Sequence, residues 1–305
     1  MKAIDLFAGA GGFSTGAKMA GIEVVWAANH WPIAVETHAL NHPETQHICQ
    51  DLHQADWTRV PAHDLMLASP CCQGHTRARG KDRPHHDASR STAWAVVSAA
   101  EYHQPKVVVV ENVPEFQGWR LYRAWEAAMN ALGYILSPHT LDAADHSVPQ
   151  HRRRLIIVGT RSRAPLRLHL VPTAHQPIRL ALDFGDRPDW SPVTKVGRAA
   201  ATLARIANGR ARFGDRFVAP FYGSGSGQTG RSIDRPIGTI TTLARWAVVD
   251  GDRMRMLSVD ETRAAMGFPV DYRLPANKRV ATQLLGNAVP PPMARDVLQA
   301  VREAV

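Results

Sequence analysis

Cysteine is scarce in this chain, with three among 305 residues. So few cannot form a disulfide framework, and their spacing matches no zinc site, which excludes a small disulfide-stapled scaffold and leaves no metal centre expected. No apolar run approaches the ~20 residues needed to cross a bilayer, so no membrane partner is expected. No basic-then-apolar leader precedes the first predicted strand, so the expectation is a reducing, bacterial-type cytoplasm. Internal repeats and long low-complexity tracts are also missing. The glycine run near the start lacks the G-x-G-x-x-G spacing of a dinucleotide fingerprint, and no P-loop lysine follows it. A ligand there would be a nucleoside without phosphates.

What is present fits a globular chain with one full domain and a smaller one: 45% hydrophobic residues and 21% charged. The net charge of +9 suits a polyanionic partner, because lysine and arginine pairing with phosphates releases condensed counterions. A basic protein with no such partner would have the same composition.

Alternation of short apolar runs with helical patterns sets the fold class. Strands are predicted over Lys2 to Phe7, Glu23 to Ala28, Asp64 to Ala68, Lys106 to Val110 and Arg154 to Thr160. A further short strand is expected just before Asp51. Helices are predicted over Phe13 to Ala20, Ile33 to Asn41, Thr92 to Tyr102 and Leu121 to Leu132. The four consecutive valines after Lys106 mark a strand buried on both faces. This is an open α/β sheet with helices on both faces, whose ligands sit at the carboxyl ends of strands. Residues 1–160 form its main part. Residues 161–250 are rich in Arg, Pro and Gly with weak periodicity and read as a small irregular domain. Residues 251–305 return to helical patterning and close with a helix carrying prolines in its first turn.

Four motifs carry chemistry. Asp5-Leu6-Phe7-Ala8-Gly9-Ala10-Gly11-Gly12 is a strand-to-helix glycine turn, where backbone approaches a ligand closely and a helix N-terminus offers free N–H groups. An ordinary tight turn reads the same way. Ser69-Pro70-Cys71-Cys72-Gln73-Gly74-His75-Thr76 places two thiols side by side in a loop after an apolar segment. Nearby cations would help lower a thiol pKa. Glu111-Asn112-Val113 ends the valine strand, with a carboxyl poised in the cleft; a helix cap or surface acid would look alike. In Gln150-His151-Arg152-Arg153-Arg154, a period of two puts Arg152 and Arg154 on one face; a solvated basic edge is the plainer alternative.

Taken in order, and with Arg255 to Pro269 and Gly286-Asn287-Ala288-Val289-Pro290, these motifs resemble the DNA cytosine-5 methyltransferases over nearly the whole chain. The resemblance implies an open, mostly parallel, Rossmann-like methyltransferase sheet. It implies S-adenosylmethionine as cofactor and double-stranded DNA as partner. Cytosine C5 is too weak a nucleophile to take a methyl group directly, and a thiolate added to C6 makes it an enamine carbon. The resemblance gives that thiolate to Cys72, the cysteine before Gln73. It gives Glu111 the cytosine N3 and exocyclic amine. It gives Arg152 and Arg154 contacts to the extruded base and the catalytic loop. For the cofactor it implies Phe7, Ala10, Gly11, Gly12, Asp51, Leu52, Pro70, Asn287 and Val289. Asn29, His30 and Trp31 stand where the second strand ends.

Two departures from the family pattern stand out. Cys71 occupies the place of a second proline, and Asn29 that of a glutamate that binds the ribose. The target base must leave the duplex. The loop from Gly74 to Ser91 is basic, so Gln73, Thr76, Arg77 and Arg79 are expected to contact DNA. Target reading is expected between Thr160 and Val249, with Gln228, Arg231 and Arg235 as candidates. No obligate protein partner is evident, and a restriction endonuclease acting beside the chain fits the family, as does association with the nucleoid. Cytosine-5 methylation of tRNA and a catalytically silent DNA-binding relative are the competing readings.

Overall fold

The computed structural model describes residues 1–71, 92–162, 164–221 and 228–305. The chain forms two compact units. The first comprises residues 1–142, 153–172 and 288–305, and the second residues 143–152 and 173–287.

The first unit is built on a seven-stranded sheet. Its strands are β1 (Lys2–Leu6), β2 (Glu23–Asn29), β3 (Gln46–Cys49), β4 (Leu65–Ala68), β5 (Val107–Asn112), β6 (Ile135–Asp142) and β7 (Arg153–Thr160). The order is β3-β2-β1-β4-β5-β7-β6. The first five run parallel, and β7 is antiparallel to both its neighbours. Between these strands lie α1 (Gly12–Met19), α2 (Pro32–Asn41), α3 (Ala93–His103) and α4 (Tyr122–Ala131). Every residue of β4 and β5 is buried, as a central parallel strand covered on both faces requires. Trp26, Phe116, Trp125, Met129 and Tyr134 fill the core against them. The Trp125 indole N–H donates to the Ala93 carbonyl at 3.0 Å, so this large ring enters the core with its polar atom satisfied.

Strand β6 was not anticipated. Its Ser137-Pro138-His139-Thr140 segment lacks an apolar alternation, and it pairs along its whole length with β7 at the sheet edge. An edge strand tolerates Pro138 because one side of its ladder is unpaired.

The second unit holds β8 (Ser191–Pro192), α5 (Ala200–Phe213), β9 (Arg216–Pro220), β10 (Trp246–Asp250), β11 (Arg253–Met256), α6 (Val259–Ala265) and α7 (Lys278–Asn287). The strands form an antiparallel sheet ordered β8-β11-β10-β9. Phe217, Ala219, Ala247, Val249 and Met254 pack with Ile206 of α5 into a separate core. This stretch carries more regular structure than its weak periodicity suggested. Ser258 caps α6 in a reciprocal capping box with Glu261. The same Glu261 receives Arg255 at 2.6 and 2.7 Å.

The chain returns to the first unit as α8 (Pro291–Ala304), which opens on prolines as expected. It packs on α1, where a side chain at Gly16 would lie 2.8 Å from the Pro291 carbonyl and overlap Ala294.

Candidate active site

The sheet order reverses between β1 and β4, and the motifs gather at the carboxyl ends of the strands there. After β1 the chain turns at Phe7, with φ 62°, and enters α1 through Gly11, with φ 79°. Only glycine adopts that left-handed cap without strain. No side chain caps α1, and its first turn carries no acid, so the positive end of the helix remains open to an anionic group. Ala10, Gly11 and Gly12 are buried, and a Cβ on Gly12 would overlap the carbonyl of Val289. Phe7 packs half-buried against the core.

Beneath this turn lies a polar chain that sequence reasoning missed. Ser14 donates to buried Asp5 at 2.7 Å, His38 Nε2 is 3.0 Å from the same hydroxyl, and His38 Nδ1 is 2.8 Å from His47 Nε2. Burial pushes the Asp5 carboxyl up to about 7 against the pull of Ser14. Burial likewise holds His38 well below the usual imidazole range, and His42 at about 4. The available signals were an acid inside the apolar run Ile4-Asp5-Leu6 and histidines four apart, His38 on α2 and His42 at its C-cap.

At the end of β2, the Asn29 side-chain oxygen accepts the Trp31 N–H at 3.0 Å. His30 is exposed and Trp31 stands at the start of α2. Past β3, one oxygen of exposed Asp51 accepts the His53 N–H at 3.0 Å and begins a short 3₁₀ turn. Leu52, in that turn, is buried in the core.

After β4, Pro70 is buried and its carbonyl accepts from Asn112 Nδ2 at 3.1 Å. Asn112 also receives the Val113 N–H at 2.9 Å, so it braces the two loops that leave β4 and β5. The Cys71 N–H donates to Thr92 Oγ1 at 3.1 Å. Cys72, Gln73, Thr76, Arg77 and Arg79 lie outside the described residues.

Glu111 lies inside β5 rather than just beyond it, and it is 2.9 Å from Arg154 of β7, both side chains being almost fully buried. Arg152, just before β7, is fully buried. It belongs to the second unit, where its guanidinium donates to the carbonyls of Ile240 at 2.9 Å and Gly286 at 2.8 Å. Buried Gln150 secures the same region, accepting the Ile240 N–H at 2.7 Å and donating to the Ala265 carbonyl at 3.2 Å.

Gln228, Arg231 and Arg235 are exposed on the second unit, and Arg231 exchanges two backbone hydrogen bonds with Val218. Asn287 is the exposed last residue of α7, while Val289 is buried in the first unit. Among the described residues no group of three or more His, Cys, Asp or Glu is arranged to hold a metal, and no helix is long and apolar enough to cross a membrane.

The sheet order and glycine turn define the class: a Rossmann-like α/β methyltransferase. The same fold is seen in a putative DNA modification methyltransferase from a prophage of E. coli, with a TM-score of 0.73 and 19% identity over 100% of this chain and 99% of that one. A Spodoptera frugiperda DNMT2 mutant matches with a TM-score of 0.72 and 18% identity over 99% of each chain. Among curated relatives, the Type II methyltransferase M.HgiDI of Herpetosiphon aurantiacus is 29% identical over 95% of this chain and 90% of its own length. M.NlaX of Neisseria lactamica is 26% identical over 100% and 97%. The C-5 cytosine-specific DNA methylase model matches residues 1–186 and 197–303, and the chain belongs to that family. Membership makes it a methyltransferase of the DNA cytosine-5 class and implies S-adenosylmethionine as methyl donor.

Proposed function

We propose that the chain methylates C5 of a cytosine flipped out of duplex DNA, with Cys72 as the nucleophile that adds to C6. The observation that carries this reading is the water-poor Glu111–Arg154 pair at 2.9 Å, with Glu111 on β5, the neighbour of the strand that precedes the cysteine loop, and Arg154 on β7 beyond it. Glu111, placed by Arg154, offers one oxygen to accept from the cytosine amine and, through its carboxyl proton, protonates N3. Protonation at N3 makes C6 more electrophilic. The Cys72 sulfur then bonds C6, and the electron pair moves to C5. After C5 gains its methyl group, loss of the C5 proton expels the thiolate and restores the aromatic ring. Arg154 orients Glu111, and Arg152 holds the Ile240 and Gly286 carbonyls.

The residues at the strand ends fit S-adenosylmethionine, which supplies an electrophilic methyl group on a sulfonium. The uncapped, acid-free start of α1 suits its carboxylate. The second oxygen of Asp51 suits the adenine amine, and Phe7 an aromatic face. Asn29, whose oxygen is already engaged by Trp31, would meet the ribose with its amide N–H groups. Ala10, Gly11, Gly12, His30, Leu52, Pro70, Asn287 and Val289 complete the proposed cofactor site.

The second unit is proposed to read the target sequence, with Gln228, Arg231 and Arg235 facing base edges or phosphates. Gln73, Thr76, Arg77 and Arg79 are proposed to grip the extruded strand. A restriction endonuclease of matching specificity is the proposed companion, as the Type II names of the relatives suggest.

Labelled methyl groups offered with duplex DNA or with tRNA test the reading. Transfer to duplex DNA alone is expected. Transfer to tRNA alone would move the substrate class, and DNA binding without any transfer would make the chain a silent relative.

A further inference from the structure

We infer that Thr92 is a positioning residue for the catalytic thiol, an inference that rests on the reading of Cys72 as nucleophile. The carbonyl of Pro70 and the N–H of Cys71 belong to one peptide plane. Asn112 Nδ2 holds its oxygen at 3.1 Å, and Thr92 Oγ1 holds its hydrogen end at 3.1 Å. Ser69 anchors the plane before it, its N–H donating to Leu6 at 3.1 Å and its hydroxyl to Phe7 at 3.3 Å. The backbone up to the Cys71 N–H is thereby held from β1, β5 and the start of α3.

Two features show that the Thr92 bond is not incidental. Thr92 stands at the N-cap of α3, where a threonine side chain ordinarily accepts an N–H of its own helix. It makes no such cap and receives Cys71 instead. The partner N–H exists only because position 71 is cysteine. A proline there would fix φ through its ring and carry no hydrogen to donate. Cysteine loses that ring restraint and leaves a donor to be satisfied, and Thr92 supplies both the acceptor and the restraint. Cys71 thus acts through its backbone, and its thiol has no part in the argument.

The test is a cycle between positions 92 and 71, read by steady-state methylation of duplex DNA and by the alkylation rate of Cys72 in the folded protein. Thr92→Val keeps shape and removes the acceptor. It should lower kcat about 10-fold or more with little change in KM, since misplacement of a reacting group costs rate rather than affinity. Cys72 alkylation should change with it. Thr92→Ser should restore kcat to near the parent value. In the Cys71→Pro background, Thr92→Val should have no further effect, because no N–H remains to be held. Equal kcat in Thr92→Val and the parent, or the same loss in both backgrounds, would overturn the inference. Should Thr92→Val fold poorly, the comparison of Thr92→Ser with Thr92→Ala decides it: equal kcat in those two overturns the role. Cys72→Ala separates the two claims. Methyl transfer surviving in Cys72→Ala removes the nucleophile assignment, whereas an inactive Cys72→Ala beside an unaffected Thr92→Val removes only Thr92.

Discussion

At the scale of single residues, buried charge decides most of the behaviour. Glu111 and Arg154 are both nearly out of water, and a buried ion pair that loses one partner is commonly destabilised by about 3–5 kcal/mol. Glu111→Ala is therefore expected to melt lower than Glu111→Gln, which keeps a hydrogen-bonding oxygen. Both should lose methyl transfer by about 10²-fold or more, the scale of a lost general acid–base group. Urea melts and single-turnover assays check the two halves separately. Asp5 gives a pH signature. Its carboxyl is raised to about 7 from 3.8, so between those values the folded chain holds a proton that the unfolded chain has released. That contribution is complete below the unfolded pKa and is lost as pH rises through 7, with a slope of about 1.4 kcal/mol per pH unit. His38 and His42, held low by burial, act in the opposite sense and cost stability as pH falls below 6.5. Comparing Asp5→Asn with the parent isolates the first effect: the parent should lose stability relative to the variant from pH 4 to pH 7. A pH-independent difference would contradict a buried, protonated Asp5.

The elements that position the site were largely legible, because each carries a simple physical signal. The valine run of β5 and the apolar β4 can only be central strands, and the glycine turn between β1 and α1 announces itself. What escaped was polar. Strand β6 shows Ser137, Pro138, His139 and Thr140 because one edge faces solvent. Strand β11 reads Arg253-Met254-Arg255-Met256, and its arginines drew attention away from its period of two. Arg255 is in fact buried against Glu261 and the Trp190 ring. The roles of Arg152 and Thr92 were beyond reach of the sequence, since each depends on a carbonyl or N–H supplied from 21 or more residues away. Helix packing yields a prediction at this scale. Gly16 lets α1 meet α8 at backbone distance, so Gly16→Ala should destabilise by about 1–3 kcal/mol, as overpacking does. Equilibrium unfolding would show it, and a neutral result would mean that α8 can shift outward freely.

For the whole molecule, the net charge of +9 and the proposed duplex partner imply strong salt dependence. A protein neutralising six or more phosphates loses about 10³-fold in affinity or more between 50 and 200 mM salt. Titrations of duplex DNA across that range should show this loss, and a flat profile would indicate that the basic residues face elsewhere. In the proposed reading, the first unit carries catalysis and the second carries target choice. Arg231→Ala and Arg235→Ala should then change which cytosines are modified or how tightly DNA binds, while leaving the Glu111–Arg154 pair intact. The central claim is that Cys72, and not the neighbouring Cys71, makes the chain a cytosine-5 methyltransferase. Nucleoside analysis of duplex DNA after incubation with S-adenosylmethionine and the parent, Cys71→Ser or Cys72→Ser protein tests it most directly. The parent and Cys71→Ser should yield 5-methylcytosine and Cys72→Ser none; 5-methylcytosine from Cys72→Ser, or a methyl group on any other atom in the parent reaction, would contradict it.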